Sequence, residues 1–415
     1  MTTFRQLARN HDFTVLWVGE TISALGTQMS LFVFPLITYA LTHSTLAAAL
    51  VEALELVGMT AVLLPAGVWA DRFDRRRLML LASATGALGY GSLTVAGVLG
   101  LLTVPHLAVV ALVTGLGAGL FSPAEMSAVR TVVPDEDLPT ALSQNQAREH
   151  VASLVGGPLG GLLLAVTRWL PFAVDAVSYA VSCFTLTRIR ADLSAPAFVG
   201  ERPSMRRQLA EGLRFMMGRP FFRVLLSWAA LANLMGNAVF FVVLMSLVRA
   251  GYPAWQLGLI STAAGVGGIL GALAAPRLID RLPTGALTVV VAWMCVVPLL
   301  PLVWVRTPWS AVAAVFALML INPAGNAGIS SYRVAVTPGE LQGRVSATSR
   351  FLAMSVMPLS PVLGGLLLTT YGAGSAVIAL IAGTTAAALL ITSSRSVRRV
   401  PRPRDWKGSE ELLAV

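Results

Sequence analysis

The chain has 415 residues, 56% of them hydrophobic and 12% charged, with a formal net charge of +10 and a mean hydropathy of +0.75. A soluble globular domain carries roughly 25% charged residues, so this composition excludes a soluble fold and points to a polytopic membrane protein. The positive excess is mostly arginine between apolar runs, which reports topology and contact with anionic lipid headgroups and not affinity for nucleic acid.

Apolar segments long enough to cross a bilayer core, about 20 helical residues each, recur along the whole length. Twelve are predicted, at 13–41, 45–71, 77–100, 105–131, 139–167, 171–189, 220–249, 254–280, 285–305, 309–336, 341–369 and 372–394. They are read as helices because a spanning backbone must satisfy its own hydrogen bonds, and no barrel-like alternation is present. The first is too long for a signal-peptide core and is expected to stay uncleaved.

The first span carries Glu20, and the second carries Glu52 and Glu55 at i and i+3 on one face. An ionisable group inside the membrane costs about 3 kcal/mol on insertion scales, so each should face a partner or a cavity. Two carboxylates one turn apart repel, and binding a proton relieves that repulsion. Glu20, Glu52 and Glu55 are therefore the proton-coupling candidates. The run GVWADRFDRRR at 67–77 confines Asp71, Asp74, Arg72, Arg75, Arg76 and Arg77 to the turn between the second and third spans.

The fourth span ends in Glu125 and Arg130, which are expected to pair. The fifth brings Ser143, Gln144, Asn145, Gln146, Arg148, Glu149 and His150, then GGPLGG at 156–161. Arg148 and Glu149 read as a local pair, with Arg148 also a candidate contact for an anionic substrate. Gly157 and Gly161 form a small-xxx-small face suited to close helix packing. Asp175, near the start of the sixth span, reads as structural. Cys183 and Cys295 fall inside spans, with no disulfide framework or metal-ligand spacing.

Residues 191–219 form the longest internal connection. Within it Met205, Leu209, Leu213 and Met216 share a helical stripe, while Arg206, Arg207, Glu211 and Arg214 lie off it. An amphipathic helix on the inner membrane surface is expected. The seventh span holds Asn233 and Asn237 with Phe240 and Phe241 nearby, and the tenth holds Asn322 and Asn326. These four amides are candidates either for a substrate cavity or for interhelical hydrogen bonds. The sequence thus divides into a six-helix bundle at 1–190, a linker at 191–219, a second six-helix bundle at 220–395 and a tail at 396–415. The arginine distribution puts both termini in the cytoplasm, since the opposite side holds Arg168, Arg249 and Arg306 alone among the loop arginines.

The halves repeat. Pro134-Asp-Glu-Asp aligns with Pro338-Gly-Glu-Leu at an offset of 204 residues, and the same offset superposes Leu159-Gly-Gly-Leu-Leu-Leu on Leu363-Gly-Gly-Leu-Leu-Leu. Parallel repeats about an axis normal to the membrane are a transporter architecture.

These residues resemble the major facilitator superfamily. Gly67, Asp71, Arg72, Arg75 and Arg76 match its signature between the second and third spans, with Asp74 where the family often has Gly. The form DRFDRRR, the stretch FSPAEMSAVRTVVPDEDLPTAL at 121–142 and the LGGLLL blocks are similar to drug, macrolide and siderophore exporters of that superfamily. GGPLGG departs by one residue from the Gly-Pro-x-x-Gly-Gly pattern of proton-driven exporters; SPVLGG at 360–365 keeps the spacing but begins with Ser. In the second half, GALAAPRLIDR at 271–281 keeps Asp280 and Arg281 but not the signature spacing, and Arg333 takes the place of Arg130.

The resemblance implies an all-α polytopic membrane protein of two pseudo-symmetric six-helix bundles, working by alternating access. It implies a gate in which Asp71 answers to Arg130 and to the start of the eleventh span, where Thr337-Pro-Gly-Glu340 reads as a capping box. It implies Glu20 on a cavity-lining helix, and Asn233, Asn237, Asn322 and Asn326 on two more. The expected activity is proton-coupled efflux of a small amphipathic compound across a bacterial inner membrane. No enzymatic role and no cofactor are expected beyond the proton gradient; the expected partners are substrate, protons and lipids, not nucleic acid, and the expected state is monomeric. A uniporter or lysolipid-translocating member of the fold, and a non-transporting sensor or scaffold, stand as alternatives.

Overall fold

A computed structural model describes Leu7, residues 9–194 and residues 205–406. Parts of the expected linker (195–204) and tail (407–415) lie outside the described residues, as do the side chains of Met205 and Arg206. The apolar segments form helices, the first three beginning where a polar side chain satisfies a free N–H and the next three with a proline in the first turn. These are α1 (His11–Thr42), α2 (Thr45–Arg72), α3 (Arg75–Val98), α4 (Val104–Val132), α5 (Leu138–Val166) and α6 (Leu170–Arg188). Asn10, Ser44 and Asp74 accept the capping bonds of α1, α2 and α3.

The chain continues through α7 (Met205–Met217), α8 (Pro220–Arg249), α9 (Ala254–Arg281), α10 (Thr284–Met294), α11 (Pro308–Ala335), α12 (Gly339–Ser355), α13 (Leu359–Ser393) and the short α14 (Arg395–Arg398). After α10 the backbone tightens into a 3₁₀ turn at Val297–Val303, where Pro298 and Pro301 remove two donors. The α12–α13 segment, Gly339–Ser393, runs 55 residues. As one helix it would be about 80 Å long, more than twice a bilayer core of about 30 Å. Gly372, at φ 75° and ψ 171°, breaks it into two crossings. With the ten apolar helical segments before it, that makes twelve spans among the described residues.

The chain folds as two compact units, Met1–Gly200 with Val248–Thr262, and Glu201–Leu247 with Ala263–Val415. In the first, α1 packs on α2, α5 and α6, α2 on α4, and α3 on α4 and α6. Phe34, Tyr90 and Phe172 form a buried aromatic cluster, with ring centroids 5.6–6.2 Å apart, and Tyr179 stacks on Tyr90 at 5.7 Å. Outward-facing Leu88 and Val166 stay exposed, as lipid-facing side chains do. The α5 glycines permit a close approach to α9: a Cβ on Gly258 would stand 2.6 Å from the carbonyl carbon of Gly157. Thr262 fastens that packing by donating to the Leu154 carbonyl at 2.9 Å. The small-xxx-small face of α5 is thus used for helix packing.

The repeat read from sequence is a repeat of structure. The Pro134 carbonyl accepts from Asp137 and Leu138, and the Pro338 carbonyl accepts from Leu341 and Gln342, the same i+3 and i+4 turn 204 residues on. Gly160 lets α5 lie against Met29 and Val33 of α1, and its counterpart Gly364 lets α13 lie against Ala238 and Val242 of α8.

Two local expectations change. The eleventh span does not begin with a capping box: Thr337 donates its hydroxyl to the Arg333 carbonyl at 2.6 Å, and Pro338 at the N-cap offers no side-chain bond. A box forms instead at Thr307 and Ser310 ahead of α11. The buried face of α7 is also offset from the expected stripe. Gly212 and Met216 are buried while Leu213 is exposed, because α7 packs on α12, with Glu211 bound to Arg344 and Met216 accepting from Ser349.

Candidate functional site

Within the first unit, α1, α4 and α5 enclose most of a cleft of about 160 Å³ that holds Glu20, Glu125, Arg148 and Glu149. Arg148, 5% exposed, donates from Nη1 to Glu125 Oε1 at 2.8 Å and from Nη2 to Glu149 Oε1 at 3.2 Å. Its Nε is buried with no partner among the described residues. Glu20, 6% exposed, accepts from Ser182 at 2.9 Å, and Ser182 meets Ser83 at 3.0 Å. Three carboxylates thus share one cleft with one guanidinium. Phe121 and Tyr179 add aromatic surface, and the Tyr179 hydroxyl meets Thr27 at 3.0 Å.

This corrects the expected pairing of Glu125 with Arg130. Arg148 takes Glu125 because the two side chains meet within the cleft, whereas Arg130 is exposed at the end of α4. Glu52 and Glu55 do not line the cleft. Glu55 is buried against α4, close to Gly115, and its Oε2 has no partner among the described residues; Glu52 is half-buried a turn earlier. Asp175 is wholly buried and accepts from Ser30 and from Ser178, the latter at 2.8 Å. Gly26 gives this carboxylate its room, since a Cβ there would overlap Asp175 Oδ1. The serines carried no sequence signal, being small residues in small-residue helices.

The 67–77 run acts as a staple at one end of the first unit. Arg75, 7% exposed, donates to the Ala70 carbonyl and to Thr131, each at 3.1 Å. Arg76 donates from Nη2 to the Ile189 and Ala191 carbonyls at 2.7 and 2.8 Å, satisfying the end of α6. Asp12 receives the Arg190 and Ala191 N–H groups at 2.9 Å, and Asn10 donates to Val132 at 2.7 Å. Asp71 and Arg72 are exposed, as is Arg130. Arg130 forms no ion pair among the described residues, so the expected Asp71–Arg130 pair is not made. Gly67, part of the signature, has no heavy atom among the described residues within 4 Å of where a Cβ would stand.

In the second unit Asn233 donates to the Ala353 carbonyl of α12 at 3.2 Å, and Asn237 to the Asn233 carbonyl at 2.8 Å. Asn326 donates to Asn322 Oδ1 at 2.6 Å. One of the four amides therefore joins two helices, and the others bond within their own.

Two repeats of six spans, with a charged cleft among the helices of one of them, define a polytopic transporter. The family model described as Major Facilitator Superfamily matches residues 16–361, and the chain belongs to that superfamily. It is 26% identical over 393 residues to the multidrug efflux pump Tap of Mycolicibacterium fortuitum, covering 88% of this chain and 91% of that one. It is 27% identical over 293 residues to the enterobactin exporter EntS of Escherichia coli O1:K1 / APEC, covering 68% and 67%. Among solved structures it resembles a bacterial homologue of the iron transporter ferroportin in an inward-facing state (TM-score 0.73, 15% identity, covering 94% of this chain and 99% of that chain). It also resembles a D-xylose-proton symporter (TM-score 0.68, 14% identity, 92% and 98%). These two likenesses speak to fold alone.

Proposed function

We propose that the chain exports a small amphipathic compound in exchange for protons, across a bacterial inner membrane with both termini in the cytoplasm. The observation that carries this is the cleft in which Glu20, Glu125 and Glu149 surround Arg148. One guanidinium balances one carboxylate, and Glu149, its side chain 56% exposed, keeps its solvent. The buried Glu20 is left as an uncompensated negative charge in a low-dielectric site, which is costly. Taking up a proton or a cationic or hydrogen-bonding solute relieves that excess. A site that accepts either, one at a time, exchanges them.

Glu20 is the proton-carrying residue in this reading. It holds only a serine hydroxyl, whereas Glu125 and Glu149 are engaged by Arg148. Glu52 and Glu55 are set apart from the cleft and take a structural part. Phe121 and Tyr179 give the solute's apolar body a surface. Outward direction is supported by the relatives Tap and EntS, described as an efflux pump and an exporter.

The test is transport in proteoliposomes with an imposed pH gradient, followed with a cationic dye inside and a pH probe in each compartment. Dye movement accompanied by opposite proton movement, lost in Glu20→Gln, is the expected result. Dye movement with no proton flux in either orientation overturns the exchange and leaves a uniporter.

A further inference from the structure

A second cleft lies wholly within the second unit, far along the chain from Glu20. It has a volume of about 350 Å³ and is bounded by the last turns of α11, the middle of α12, the first turns of α8 and the end of α7. Two arginines face it, Arg333 and Arg350, together with Ser346 and Ser349. The rest of its wall is apolar, from Phe222, Leu225, Leu226 and Met216.

The charge in this cleft is unbalanced. No acidic residue lines it, and neither Arg333 nor Arg350 forms a side-chain ion pair or hydrogen bond among the described residues. The Arg333 Nε is buried with no partner, a condition costly for a guanidinium nitrogen unless a ligand satisfies it. The nearby acid of α7, Glu211, is already taken by Arg207 and Arg344. Ser346 adds a hydroxyl donor beside the two guanidinium groups.

We infer that this cleft binds an amphipathic anion, an oxyanion head with an apolar body. Planar guanidinium groups match the oxygens of a phosphate or carboxylate, and two of them here share one wall with a serine hydroxyl. The Phe222, Leu225 and Leu226 side chains offer the body a dry surface. Position fits the same chemistry. Arg333 stands two residues before the end of α11 and Phe222 two residues after the start of α8, so the cleft begins where these spans end, near the depth of a lipid headgroup. It continues inward along α12 to Arg350 and Ala353. The oxyanion can come from a membrane phospholipid or from a soluble solute, and the two sources can be separated by experiment.

The experiment uses the full chain in nanodiscs of phosphatidylcholine, with octyl phosphate as probe, octyl glucoside as uncharged control, and empty nanodiscs to correct for partition. Equilibrium dialysis reads the bound probe. Octyl phosphate is expected to bind in excess of octyl glucoside, and Arg333→Gln and Arg350→Gln are each expected to weaken it about 10-fold or more, the scale of a charge-assisted hydrogen bond. Arg333→Lys keeps the charge and should retain much of the binding. Repeating the dialysis in nanodiscs of mixed phosphatidylcholine and phosphatidylglycerol separates the sources. Suppressed octyl phosphate binding assigns the site to lipid, and unchanged binding assigns it to a soluble anion. Equal binding of octyl phosphate and octyl glucoside overturns the proposal, as does wild-type binding by Arg333→Gln. Should Arg333→Gln fail gel filtration, wild-type binding by Arg350→Gln, altered at an exposed position, overturns it instead. Dye transport plays no part in this readout, so a failure here is distinct from a failure of proton exchange.

Discussion

Arg148 on α5 reaches Glu125 on α4 at 2.8 Å, and with side chains 4% and 13% exposed the two form the least solvated ion pair among the described residues. The pair spans the α4–α5 turn and is the brace on which the cleft rests. Removing one member leaves the other charge buried and uncompensated, a loss of about 3–5 kcal/mol. Arg148→Gln should therefore lower the thermal unfolding midpoint of the purified protein markedly. The double variant Glu125→Gln with Arg148→Gln should recover much of that loss, because it leaves neither charge stranded. A double variant less stable than both singles would show that the brace depends on something other than charge.

Glu20 and the Glu52–Glu55 pair make opposite predictions for energy coupling. Glu20→Gln should abolish uphill dye export driven by a pH gradient, yet leave a weakened but measurable dye-for-dye counterflow, since Phe121 and Tyr179 still offer the solute a surface after one negative charge is removed. The double variant Glu52→Gln with Glu55→Gln should keep both activities. Counterflow and gradient-driven export in the same proteoliposomes decide the matter; loss of driven export in the second variant alone would move the coupling carboxylate to α2.

Much of this was legible in sequence, and the limits have physical causes. The spans were visible because a bilayer demands about 20 apolar residues at a stretch. The repeat was visible because Pro134 and Pro338 close the same turn. Glu20, Arg148 and Glu149 stood out because charge inside a membrane is conspicuous. Glu125 also stood out, but its partner did not: Arg130 is near in sequence and Arg148 is near in space, and the choice depends on which side chains meet within the cleft. Hydroxyl partners such as Ser182 and Ser30 left no trace, because serine is equally at home as a small packing residue. Three of the four arginine bonds that hold the 67–77 run end on backbone carbonyls, which no residue type announces.

Asp175 gives a steric prediction. It is wholly buried, with Ser30 and Ser178 donating to it, and Gly26 leaves it room. Gly26→Ala pushes a methyl into the carboxylate and should cost about 1–3 kcal/mol, the usual range for overpacking. A lowered unfolding midpoint, partly restored when Asp175→Ser makes space, is the expected pattern. An unshifted midpoint in Gly26→Ala would mean that α1 and α6 can part at no cost.

The arginine-rich turn and its worn counterpart hold their helices by different means, and the difference can be tested. In the first unit Arg76 binds the Ile189 and Ala191 carbonyls. In the second unit the turn after α9 is held by backbone: the Thr284 and Gly285 N–H groups donate to the Pro401 and Val400 carbonyls at 3.3 and 3.0 Å. Trp406 secures that returning segment, donating to the Pro401 carbonyl at 3.1 Å and packing its ring 5.4 Å from Tyr332. The second turn is thus held without the arginine spacing of the first. Hydrogen exchange separates the two devices. Arg76→Gln should raise deuterium uptake at 189–193 by breaking two charge-assisted bonds, about 1.5–3 kcal/mol each, and leave 284–288 unchanged. Trp406→Ala should do the reverse. Uptake rising in both segments with either variant would show that the two ends unfold together and that neither device is local.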